Sequence, residues 1–114
     1  NTKIIRITDL GIEKAKGGYT VDEIFAKGAS LKGKKVTVRG RVDKVNTGIM
    51  NRTWIHVRDG SSQDLTITTT GSAAVGDIVL AEGKLAVDKD FGHGYKYAAI
   101  MEDAALTVEN KAKN

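Results

Sequence analysis

Cysteine and proline are both absent from the 114 residues. Without a thiol, the chain can have no thiolate zinc site, iron–sulfur cluster, disulfide framework or thiol catalysis. Aromatic residues make up 5% of the chain and include one tryptophan, so few side chains can serve as stacking platforms for bases. With two histidines, and with the serines (Ser30, Ser61, Ser62, Ser72) confined to loops or turns, no nucleophile, base and orienting group come together. No phosphate-cradling glycine motif occurs. A non-catalytic protein that needs no cofactor is the expectation. No window approaches the roughly 20 apolar residues of a membrane helix. Internal repeats, low-complexity blocks and domain linkers are also missing. A start at Asn1 fits either a mature or a trimmed chain, so no address is read from it.

What is present suits one compact domain. Forty per cent of the residues are apolar, enough at this length to build a core without metal or disulfide staples. The net charge is +4, unevenly distributed. From Lys32 to Arg58 there are eight cations (Lys32, Lys34, Lys35, Arg39, Arg41, Lys44, Arg52, Arg58) against Asp43 alone, a local +7. From Asp59 onward five lysines face nine acids. Such asymmetry predicts a basic surface and a polyanionic partner.

Along the chain, Ile4, Ile5 and Ile7 form a short apolar run that suits an extra strand in an N-terminal extension, residues 1–18. Thr20-Val21-Asp22-Glu23 is a capping box, so a helix of about two turns starts there, with Gly28 as its C′ residue. Lys34 to Val45 then alternates, with Val36, Val38, Gly40 and Val42 on one side and Thr37, Arg39, Arg41 and Asp43 on the other. A glycine in the middle of the apolar side permits a sharp bend, and a long strand bent there can serve two sheets. Strand two turns Thr53, Ile55 and Val57 inward and Trp54, His56 and Arg58 outward. A hairpin at Asp59–Gln63 leads to strand three, with Leu65, Ile67 and Thr69 inward and Thr66, Thr68 and Thr70 outward. Strand four runs from Ile78 to about Val87, the loop Asp88–Gly94 follows, and a last strand runs from near Tyr95 to Val108 before a polar, frayed tail at 109–114. The expected fold is mainly all-β, with five strands closing into a small Greek-key barrel over residues 19–108 and a short helix before strand one. Strand count alone leaves an OB-fold and an SH3-like barrel both open.

Val36-Thr-Val-Arg-Gly-Arg-Val42, followed by Trp54-Ile-His-Val-Arg-Asp-Gly60, resembles an OB-fold of the anticodon-binding type. Closer still is the similarity to small stand-alone bacterial OB-fold proteins related to that family. It is carried by Gly18 to Val21, Gly48-Ile-Met50, Val75-Gly-Asp77 and Lys89-Asp-Phe-Gly92 before Tyr95-Lys-Tyr97. The resemblance implies nucleic-acid binding and, for many such proteins, export to the bacterial envelope or periplasm. OB-folds bind across strands two and three, between the loops joining strands one to two and four to five. Mapped onto this chain, the ligand face comprises Trp54, His56 and Arg58, flanked by Arg39, Arg41, Lys44 and Arg52, with Phe91, His93 and Lys96 added from the second loop. The partner expected is single-stranded nucleic acid or another polyanion; the rival expectation is an envelope scaffold for a protein partner. Tyr95 and Tyr97 share a face with Ala99 and Met101, which assigns them to the core or barrel lip. Asp88, Asp90 and His93 hold two carboxylates and an imidazole in one loop, too few ligands for a metal site. The extended attachment motif of haem-handling OB-fold chaperones is missing around His93 and Tyr95.

Overall fold

A computed structural model describes residues 11–112. The expected extra strand at Ile4, Ile5 and Ile7 lies outside them. Thr20 caps helix α1 (Val21–Ala26) as its sequence dictates: the Glu23 amide donates to Thr20 Oγ1 at 3.1 Å and the Thr20 amide donates to Glu23 Oε1 at 2.9 Å. That backbone donor is the main reason the Glu23 carboxyl lies below its ordinary pKa. Gly28 does not end this helix in a left-handed turn. Lys27 is the C-cap, and Gly28 opens a second short helix, α2 (Gly28–Leu31). Its missing side chain serves packing instead, because a Cβ there would meet Val87 Cγ1 at 3.2 Å.

Five strands follow: β1 (Lys35–Ile49), β2 (Arg52–Arg58), β3 (Leu65–Thr69), β4 (Ile78–Asp90) and β5 (Lys96–Asn110). They close into a barrel in the order β1-β2-β3-β5-β4, with only the β3–β5 pair parallel. The long first strand serves two neighbours, as its central glycine predicts. Lys35 to Arg41 pair with β4, and Arg41 to Ile49 pair with β2. The handover falls beside Gly40, where a Cβ would meet the Arg58 carbonyl oxygen at 3.0 Å. Inward alternation fills the barrel with Val36, Val38, Val42, Ile55, Val57, Leu65, Ile67, Val79, Ala81, Leu85 and Met101, joined by Val21, Ile24 and Leu31 from the helices.

Three expectations are corrected here. β1 and β4 run to Ile49 and Asp90, past their expected ends, so both flanking loops shrink to tight turns. All five residues of β3 are buried, so Thr66 and Thr68 do not present an open outer face; the Thr68 hydroxyl accepts from the Asp103 amide at 3.0 Å. At the C-terminus, β5 continues to Asn110 and the chain is tied down beyond it by Asp77. This buried carboxylate accepts from the amides of Ala74 at 2.9 Å and Ala112 at 2.8 Å, and those two donors, Ala74 first, hold its pKa below the ordinary carboxylate value.

A group depressed in the folded state binds fewer protons there than when unfolded, so it stabilises the fold above its unfolded pKa and loses that contribution on acidification. Asp77→Asn is therefore expected to lower the denaturation midpoint at pH 7 and to flatten its decline below about pH 4. Urea titrations at pH 7 and pH 3 check this; equal differences between the two proteins at both pH values would contradict it.

Candidate nucleic-acid interface

The indole of Trp54 lies on the outer face of β2 as expected, but it is covered, being only 7% exposed. Its Nε1–H donates to the Ile49 carbonyl at 2.9 Å, which fastens the β1–β2 turn over one side of the ring. Phe91 and Tyr97 cover it further, with ring centroids at 5.3 Å and 6.1 Å, and they meet each other edge-on at 5.9 Å. Trp54 is thus the centre of a three-ring cluster joining the β1–β2 and β4–β5 turns. It is not an open stacking platform, and Phe91, half-buried against it, is not one either.

Beside this cluster a groove of about 480 Å³ opens on the outer face of β1 and β2, lined by Lys44, Asn46, Ile49, Met50, Trp54, His56, Tyr95 and Tyr97. Its exposed apolar surface comes from the two turns: Ile49 (43% exposed) and Met50 (57%) on one, Tyr95 (59%) on the other. Assigning Tyr95 and Tyr97 to the core or lip by alternation is corrected. The inward row of β5 becomes buried only at Ala99 and Met101, whereas Tyr95 precedes the strand in a turn closed by Phe91 N–H to Tyr95 O at 2.9 Å. The glycines on either side of His93 were the available signal that alternation could not yet be counted from Tyr95.

The cations are distributed differently from their order in the chain. Arg39 binds Glu109 through Nε at 2.7 Å and the Glu13 carbonyl at 3.0 Å, and the Glu109 hydrogen bond is the main reason its pKa is raised. Arg41 and Arg58 share Asp43, at 3.1 Å and 3.0 Å. Arg52 binds Asp103 at 2.6 Å. The basic run therefore does not form a bare basic face. β1 runs beside β4, which in turn pairs with β5, and two acids of the second half of the chain, Glu109 and Asp103, cross over to pair with Arg39 and Arg52. Lys44, in the groove, and Lys96 have no carboxylate partner among the described residues. Lys96 and Arg58 line a neighbouring cleft of about 420 Å³, which meets the groove at Tyr97.

His56 Nδ1 lies 2.7 Å from Asp64 Oδ2. A carboxylate can only accept, so Nδ1 carries the proton and the ring orientation is set. No side-chain hydroxyl is hydrogen-bonded to this imidazole among the described residues. His93 sits exposed at the tip of the β4–β5 turn, at φ +56°, and lines neither hollow. No three metal-ligand-type side chains converge among the described residues. Of the ten residues expected at the site, Lys44, Trp54 and His56 meet in the groove and Arg58 and Lys96 in the adjoining cleft; Arg39, Arg41, Arg52, Phe91 and His93 line neither. A wider hollow of about 660 Å³ beside Glu82, Lys84, Glu102 and Asp103 has no aromatic lining, and all three of its acids are already ion-paired.

Solved structures match this architecture over most of the chain. The asparaginyl-tRNA synthetase of Pyrococcus horikoshii, complexed with asparaginyl-adenylate, matches with TM-score 0.65 at 19% identity over 90% of this chain. The fold is an OB barrel. The SH3-like alternative is thereby set aside. This chain spans 23% of the synthetase chain. Two OBodies bound to hen egg-white lysozyme match at 17% identity: AM3L15 with TM-score 0.63, covering 90% of this chain and 96% of that one, and AM3L09 with TM-score 0.62, covering 86% and 99%. No family model matches the chain, and no curated protein does. The groove lies between the β1–β2 and β4–β5 turns, where OB barrels hold extended ligands.

Proposed function

We propose that this OB barrel is a non-catalytic module that binds a short stretch of single-stranded nucleic acid in the groove between its β1–β2 and β4–β5 turns. The observation that carries the reading is a concave, partly aromatic surface, with Tyr95 exposed and Lys44 unpaired, at the ligand position of the fold. Tyr95 offers a ring face for a base. Lys44, together with Lys96 past Tyr97, offers charge to the phosphates. The outer row Trp54, His56, Arg58 spans about 14 Å of strand, room for only a few nucleotides.

Ion pairing sets the expected salt dependence. Contact through Lys44 and Lys96, the two cations of the groove and cleft without a carboxylate partner among the described residues, gives a slope of log affinity against log salt near −1.4 for a single strand, so raising salt from 50 to 200 mM weakens binding about sevenfold. The whole run of eight cations, left bare, would lose on the order of a thousandfold or more. Anisotropy of a labelled oligothymidylate or oligouridylate at both salts measures this. No binding at 50 mM would end the nucleic-acid reading.

One observation favours a second reading, a protein-binding barrel: Ile49, Met50 and Tyr95 are exposed while each arginine of the basic run is held by a carboxylate. The two OBodies carry lysozyme, and the envelope address implied by the sequence resemblance suits such a role. It predicts no oligonucleotide binding at either salt concentration.

A further inference from the structure

The turn joining β1 and β2 breaks a local rule. Ile49 pairs with Arg52, so the loop is two residues, Met50 and Asn51, with φ +52° and +59°. Two-residue hairpin loops with both φ positive take Asn-Gly or Asp-Gly, because those residues tolerate the left-handed region. A methionine there is disfavoured by its own Cβ. Met50 gains no burial in exchange: it is 57% exposed, belongs neither to the core cluster nor to its partly buried margin, and protrudes at the rim of the groove. The turn is nevertheless fixed in place, since the Trp54 indole donates to the carbonyl of the preceding residue, Ile49. An exposed apolar side chain in a strained and anchored turn, where a commoner sequence would be more stable, marks a position kept for contact rather than for folding.

We infer that Met50 is a ligand-contacting residue, its thioether closing over the face of an unpaired nucleobase in the groove that Tyr95 borders from the opposite turn. The inference rests on the nucleic-acid reading and adds to it a second contact on the base, from the turn opposite Tyr95. Sulfur packs favourably against such rings, and its apolar reach suits bases of any sequence. Lys44, in the same groove and without a carboxylate, complements the phosphate of that nucleotide. His56 is already engaged with Asp64.

The decisive variant relieves the strain and removes the thioether together. Met50→Asn with Asn51→Gly is expected to raise the thermal midpoint while weakening binding of an oligothymidylate octamer at 50 mM salt by about fivefold or more. Met50→Ala, which removes the thioether but keeps the turn sequence otherwise unchanged, is expected to weaken binding similarly. An octamer of the same phosphates with abasic sites should bind wild type more weakly, and should bind the Met50→Ala variant no worse than it binds wild type. If wild type binds the octamer and both variants bind it equally well, the Met50 inference falls and the nucleic-acid reading stands. If wild type binds no octamer, both fall and the protein-binding reading takes the groove.

Discussion

Gly83→Val is expected to destabilise the barrel by about 3 kcal/mol or more, a large share of the roughly 5–15 kcal/mol that holds a domain together. Gly83 lies in β4 opposite Val36 of β1, at the point where the β4–β5 register shifts between Glu82 and Lys84. A Cβ added there would stand 2.8 Å from Met101 Cγ, 2.9 Å from the Glu102 carbonyl oxygen and 3.0 Å from Ala104 Cα. The methionine could swing aside, but the other two atoms are backbone of β5 and move only with the strand. Met101 is itself fully buried, so even its retreat disturbs the core. Valine adds two methyl groups to this conflict. Chemical denaturation followed by circular dichroism measures the loss, and a cost below about 1 kcal/mol would show that the bulge yields more readily than packed backbone should.

The second large effect concerns Trp54. Trp54→Ala is expected to cost about 3–5 kcal/mol, the range for removing a large buried aromatic side chain. The indole is 7% exposed, touches Phe91 and Tyr97, and holds the Ile49 carbonyl. Its removal leaves a void between the two turns that the three-ring cluster joins, so the groove should lose its walls with its floor. Trp54→Phe keeps an aromatic ring but not the Nε1–H donor, and is expected to cost about 1 kcal/mol from that hydrogen bond, besides the smaller ring. The wild-type protein allows a simpler check. A covered indole should emit at short wavelength and resist quenching by acrylamide, whereas emission like that of free tryptophan would contradict the three-ring cluster and the expected cost of the alanine variant.

Much of the architecture was legible because its causes are local. Thr20 and Glu23 cap the first helix through bonds three residues apart, and Gly40 marks the place where β1 passes from β4 to β2. The inward rows follow alternation from Val36 to Val42 in β1 and through Ile55 and Val57 in β2, but a register shift between Val42 and Lys44 then sets Val45 opposite Ile55 and Lys44 opposite His56. Alternation failed where a partner outside the strand changed the surroundings. Thr66 and Thr68 count as outward residues of β3 yet are buried, and Tyr95 counts as inward yet stands in a turn with its ring exposed.

The site was less legible, because its character depends on which charges meet. Arg52 and Asp103 are 51 positions apart, and Arg39 and Glu109 are 70 apart, yet each pair is joined across the closed barrel. By itself the sequence determined the helix cap, the strand alternation and the bend at Gly40, since these depend on neighbours along the chain. Only the tertiary structure decided that five of the eight cations of the basic run are held by carboxylates, that Trp54 supports the groove instead of offering its face to a ligand, and that Tyr95 and Met50 form the groove's exposed rim. Ion pairing and ring packing depend on distance in space, and closing the barrel rearranges those distances without leaving a periodic trace in the chain.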